Sequence, residues 1–295
     1  MLRSLLLALD GIADAEAAVE TAAYLAASKG VSIDVRLTLD RAAVAEPGAV
    51  GVAGLSRAEH RDAVIVRRLG GRLDATGRQV GERLAAVGGA TFAVARLDGD
   101  VGAELPRLAL GHDLVLLSNA LRRRADSDDL DITFALPAEE LIRATPRPFL
   151  LADRRPLGDG PALVAFDGGR ASISALRSAV ALGLLEGREV VHVASVAEDR
   201  GEAERLAADG CAILARHRGT TAASPRPLVA DGGEAAGLIA AELDALGAGL
   251  LMMGAFGERS LAEWLFGSTT RELLARAEPA VFLYAERGGA DPLVT

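Results

Sequence analysis

Apolar residues in this chain gather in short unbroken runs, not in strict alternation. Leu5-Leu6-Leu7-Ala8-Leu9, Leu114-Val115-Leu116-Leu117, Ala162-Leu163-Val164-Ala165-Phe166, Leu250-Leu251-Met252-Met253 and Phe282-Leu283-Tyr284-Ala285 are the clearest. Runs of this length, apolar on both faces, read as strands of a parallel sheet covered on both sides. The second half gives a full series. It predicts strands at 162–166, 189–196, 226–231, 249–254 and 280–285, and helices at about 170–186, 198–217, 233–246 and 268–277. Strand and helix in alternation imply right-handed crossovers and a doubly wound α/β sheet. In such sheets a ligand sits beyond the carboxyl ends of the strands, where the strand order reverses.

The pattern occurs twice. LLLALDG at 5–11 answers ALVAFDG at 162–168, each an apolar run ending in Asp-Gly and followed by a helical stripe. Ala18, Thr21, Ala22 and Leu25 form that stripe in the first half, and Leu176, Ala179, Val180 and Gly183 in the second. Phe149-Leu150-Leu151-Ala152 likewise answers Phe282-Leu283-Tyr284-Ala285. The chain therefore divides into residues 1–153 and 161–295, with Asp153–Gly160 (DRRPLGDG) as an exposed linker rich in charge, Pro and Gly. From Asp10 to Asp167 is 157 residues, and from Ser118 to its counterpart Gly254 is 136, so the first half holds about 21 more. The excess is placed around 40–90, in a stretch that includes a lengthened helix.

Composition narrows the function. Half of the 295 residues are apolar and a quarter charged, with aromatics at 3 %, so the cores must be packed with Ala, Leu and Val. No apolar run approaches the roughly 20 residues of a membrane span. The formal charge of −9 argues against nucleic acid or an anionic membrane as partner. A single cysteine, Cys211, excludes an internal disulfide and fits a reducing cytoplasm. The start, Met1 to Leu9, reads as a first core strand, because acidic Asp10, Asp14 and Glu16 follow it. Lys29 is the one lysine, so no G-K-[ST] phosphate loop can be written.

Candidate chemistry lies near the C-terminus. Gly254 and Gly257, then nine residues, then Gly267-Ser268 give G-x2-G-x9-G-S between an apolar run and a helical stretch. Glycines admit close backbone approach to an anion, and a helix start adds unpaired N–H donors and partial positive charge. Strand, glycine loop and helix start make a phosphate cradle. In the first half, Ser118 and Leu121 stand where the two glycines belong, and Asp126, Asp128, Asp129 and Asp131 stand where phosphates would pass.

With these residues assembled, the chain resembles the universal stress protein family in its tandem two-domain form. The second half carries the likeness: Asp167-Gly168 ending the first strand, His192-Val193, Gly232, and Met253-Gly254 with Gly257, Gly267 and Ser268. The resemblance implies a Rossmann-like, adenine-nucleotide-hydrolase-like fold, with two tandem five-stranded, mainly parallel sheets covered by helices on both faces. It implies that the two halves pack together, dimerisation-type packing through the final strand, a homodimer as one option, and ATP, with or without Mg²⁺, as ligand. Position by position it implies Ala165, Asp167 and Val193 around adenine. Met253, Gly254 and Gly257 then wrap ribose and phosphates, and Gly267, Ser268 and Thr269 donate to phosphates; Arg259, which the family motif does not demand, is within reach of the terminal one. The expectation is a cytoplasmic, nucleotide-responsive regulator in stress signalling, with one ATP site per chain and the first half degenerate.

Blander roles stand beside these. Asp167-Gly168 serves equally as a turn, Thr269 with Glu272 as a capping box, His192 as a core histidine, and Cys211 as a buried small residue. Trp264 and Phe266 suit either a ligand cover or a partner contact. No His, Cys, Asp or Glu spacing suggests a metal, and no general base stands out, so at most weak ATP hydrolysis is expected. Two other functions compete: a nucleotide-independent dimeric adaptor, and, more remotely, an adenylating enzyme of the ATP-pyrophosphatase type, which Asp167-Gly168-Gly169-Arg170-Ala171-Ser172 faintly echoes.

Overall fold

The structure, a computed structural model, describes residues 1–9, 15–40, 55–118, 138–152, 154–217, 222–230, 234–255 and 268–285. The first half contributes β1 (Ser4–Leu9), α1 (Glu16–Lys29), β2 (Ser32–Asp40), α2 (Leu55–Ala85), β3 (Phe92–Gly99), α3 (Val101–Ala109), β4 (Leu114–Leu117), α4 (Ala138–Ala144) and β5 (Phe149–Leu151). The second contributes β6 (Ala162–Ala165), α5 (Arg170–Leu182), β7 (Val190–Ala197), α6 (Arg200–Ala215), β8 (Ala222–Val229), α7 (Ala235–Ala245), β9 (Leu250–Ala255), α8 (Ser268–Arg276) and β10 (Ala280–Ala285).

Where two separate sheets are expected, the strands form one, in the order β3-β2-β1-β4-β5-β10-β9-β6-β7-β8. Each half is parallel within itself. They meet at an antiparallel seam of three residue pairs, Leu151–Val281, Leu150–Phe282 and Phe149–Leu283. Phe149 and Phe282 are almost wholly buried there. The linker is held by contacts to both halves. Leu157 N–H donates to Thr21 Oγ1 at 2.9 Å, Tyr24 donates to Asp159, and buried Arg188 donates to the carbonyls of Leu184 (2.9 Å) and Gly160 (2.5 Å).

Hydrophobic continuity decides position in the sheet. The unbroken runs of β1, β4, β9 and β10 are central and buried on both faces, whereas FAVARLDG (β3) and AASPRPLV (β8) are the two edges and are partly open. β8 departs from expectation, starting at Ala222 instead of 226. Pro225 and Pro227 argue against a central strand but suit an edge. Ala230 N–H bonds back to Ala197 C=O (2.9 Å), so by alternation both prolines turn their missing donors outward.

Helix ends follow local chemistry. Asp199 caps α6 by accepting from Glu202 N–H at 2.8 Å, and Asp100 caps α3 by accepting from Ala103 N–H at 3.0 Å. α5 stops at Leu182, short of the expected 186, because Gly183 takes a left-handed turn with φ 73°. α2 runs 31 residues against 16 for its counterpart α6. It lays Leu69, Leu73, Val80 and Leu84, all buried, along one face.

Candidate functional site

The carboxyl end of β6 is the point where the strand order of the second half reverses, between β9 and β7. The chain leaves β6 at part-exposed Ala165, buries Phe166, and turns at Asp167-Gly168. Gly168 has φ 74° and an added Cβ would lie 2.8 Å from Leu206 Cδ2, so this turn requires glycine. Exposed Asp167 sits at the head of α5. Its Oδ1 accepts from Gly169 N–H at 2.9 Å and from the Ser172 hydroxyl at 2.6 Å. The carboxylate thus meets the positive end of a helix whose own cap, Gly169, has no side chain to offer.

Gly254 lies directly opposite. A Cβ there would meet Ala171 C at 2.5 Å, Ser172 N at 2.6 Å and Ala171 Cβ at 2.8 Å. The first turn of α5 therefore rests on the bare backbone of β9. Met253, one residue earlier, is buried and pairs with Ala165 and Leu283.

Val193 departs from expectation. It lies in the middle of β7, four residues before the end at Ala197, fully buried and level with Val164. Its Cγ1 would be 2.7 Å from a Cβ at Gly210, so its side chain packs beneath α6. An apolar residue in mid-strand satisfies the core first. At the carboxyl end of β7 the partly exposed positions are Val196 and Ala197. Ala194 C=O accepts from Phe166 N–H at 2.8 Å and Ala197 C=O from Ala230 N–H at 2.9 Å, so by alternation Val196 turns its N–H and C=O toward β6. There the strand has ended, and the Ser195 hydroxyl has taken the Phe166 carbonyl at 2.7 Å. Among the described residues neither Val196 group has a ladder partner, and both open on the crevice. A signal existed in the sequence: the apolar run VVHVASVA does not break until Glu198-Asp199.

Two of the remaining candidates open α8. Ser268 is its first residue and Thr269, partly buried, its second. Gly257, Arg259 and Gly267 lie outside the described residues. Their place in the crevice rests on the sequence alone. His192 is buried in β7, where Nδ1 accepts from Arg226 Nε at 3.2 Å, and Arg226 lies 3.5 Å from Glu242. Burial, then the nearby Arg226 charge, holds its pKa below the ordinary histidine value. Cys211 is half-buried, and burial raises its thiol pKa.

The first half repeats the geometry with its mouth closed. Thr38 Oγ1 donates to Leu9 C=O at 3.2 Å, as Ser195 does to Phe166, and both pairs are 29 residues apart. The β1–β4 register sets Ala8 beside Leu117 as β6–β9 sets Ala165 beside Met253, which makes Ser118 the equivalent of Gly254. Ala165, Val196 and Gly254 are partly exposed, whereas Ala8, Leu39 and Ser118 are 6 %, 2 % and 8 % exposed. Among the described residues no group of three or more His, Cys, Asp or Glu is placed to hold a metal ion, and no helix is long and apolar enough to cross a membrane.

A doubly wound sheet with an open crevice at its switch point defines a protein of the Rossmann-like α/β class. Residues 160–284, within the second half, match the universal stress protein family. The whole chain shares its fold with two solved structures. One is a universal stress protein from Archaeoglobus fulgidus (TM-score 0.61, 16 % identity, 97 % of each chain covered). The other is a functionally unknown protein from Pseudomonas aeruginosa (TM-score 0.57, 17 % identity, 96 % of this chain and 92 % of that one). No curated protein matches the sequence.

Proposed function

We propose that the chain is an ATP-binding regulator with one nucleotide site, at the carboxyl ends of β6, β7 and β9. The observation that carries this reading is the asymmetry of the two mouths: Ala165, Val196 and Gly254 are partly open, and their first-half equivalents are buried.

The residues present fit a nucleotide. Val196 offers one donor and one acceptor aimed the same way, as the edge of a base requires, with Ala165 beside it as an apolar neighbour. The N-terminus of α8, with Ser268 and Thr269 and the preceding Gly257, Arg259 and Gly267, offers donors and positive charge to phosphates. Asp167 already fills the head of α5, so phosphates belong at α8. Bound ATP would supply a γ-phosphate whose presence or loss distinguishes two states. Mg²⁺ would be held chiefly by the phosphates, since the described residues gather no carboxylate cluster. A cytoplasmic, stress-linked role follows from the family likeness.

One observation favours the rival reading, a nucleotide-independent adaptor: the glycine at 254 is already demanded by the backbone of α5 and needs no ligand to account for it. Calorimetric titration of ATP, with and without Mg²⁺, into nucleotide-stripped protein separates the two. One ATP per chain is expected, abolished by Val196→Pro, which deletes the crevice donor without touching the β7–β8 ladder. Two per chain would mean the first half also binds, and none would favour the adaptor.

A further inference from the structure

The sheet has two edges, and they are treated differently. β8 turns Pro225 and Pro227 outward and so cannot receive another strand. β3 has no such guard. Ile33 N–H donates to Thr91 C=O at 2.9 Å, so by alternation Phe92, Val94, Arg96 and Asp98 turn their N–H and C=O groups away from β2. Among the described residues no strand pairs with Phe92, Val94 or Arg96 on that side, β3 being the terminal strand. Val94 at its centre is one of four exposed large hydrophobics among the described residues. An edge this long and regular is ordinarily blunted or covered.

We infer that β3 is the surface through which two copies of this chain associate, antiparallel across a two-fold axis at Val94. Among the described strands, with one edge blocked, β3 against β3 is the edge pairing left to two copies, and an isologous contact closes at two. The residues suit it. Val94 of each copy faces Val94 of the other, covering the exposed apolar side chain. Arg96 of each comes opposite Phe92 of the other, a cation over an aromatic face, and no like charges oppose directly. Arg96 is oriented beforehand by Asp74 (3.1 Å) and Asp98 (3.2 Å) on the same sheet face. Three facing pairs supply about six main-chain hydrogen bonds. The fold already joins its own halves by the same kind of antiparallel edge contact, between β5 and β10.

The test is sedimentation velocity of the full chain from about 1 to 100 µM. Wild type is expected to shift from the 30.4 kDa chain to twice that mass as concentration rises. Val94→Pro removes an outward N–H while leaving the β2–β3 ladder intact, as the prolines of β8 do. Val94→Lys sets two like charges face to face at the axis. Each should weaken association at least tenfold, with an unchanged far-ultraviolet spectrum and melting temperature. A wild-type chain that stays monomeric at 100 µM, or a dimer that survives both substitutions, overturns the inference.

Discussion

Gly254→Ala is the sharpest perturbation the structure offers. The new methyl would lie 2.5 Å from Ala171 C and 2.6 Å from Ser172 N, where ordinary contact begins at 3.4 Å. Both neighbours are backbone, so no side chain can swing aside. The first turn of α5 must retreat from β9 by about 1 Å, an overpacking that costs about 1–3 kcal/mol. The retreat also pulls Ser172 from Asp167, so the upper end of that range is expected. At roughly 2–4 °C per kcal/mol for a chain of this size, the melting temperature should fall by about 5–10 °C. Scanning calorimetry measures it, and Gly249→Ala is the control, because a Cβ there finds no atom nearer than 3.8 Å. If Gly254→Ala melts within 1 °C of wild type, the close approach of α5 to β9 is wrong. So, then, is the steric account of this glycine.

Two further outcomes are expected. Ser195→Ala orphans the buried Phe166 carbonyl and should cost about 1–3 kcal/mol, read from urea unfolding; Thr38→Val should match it in the first half, because the contact is the same. His192 sets a pH dependence. Its folded pKa is depressed, so the unfolded chain takes up the proton first; stability is full above about pH 6.5 and falls as pH drops below it. His192→Gln should flatten that slope between pH 7 and 5, and an unchanged slope would assign it to other groups.

The doubly wound plan was legible because central and edge strands differ in kind. LVLL and LLMM are apolar at every position, and only a strand buried on both faces tolerates that. The joining of the halves into one sheet was not legible from periodicity. Phe149-Leu150-Leu151 and Phe282-Leu283 show that these strands are buried, but a run of apolar residues does not name its neighbour. Val193 shows a related limit. Buried valines at 191 and 193 look like the part-open one at 196, and which meets the crevice depends on where β6 stops. Gly254 reads as a place where bare backbone lets a ligand come close, and what comes close to it in the structure is α5.

The seam between β5 and β10 carries a last consequence. Two separate chains held by three residue pairs would part on dilution, at a level fixed by how much protein the cell makes. Here the partner is tethered by an eight-residue linker, so its local concentration stays near millimolar whatever the expression level. The pairing is obligatory and always of unlike halves. A chain built this way can let one half lose its crevice without risk that two closed halves pair across this seam, and the ratio of open to closed mouths is written into the gene.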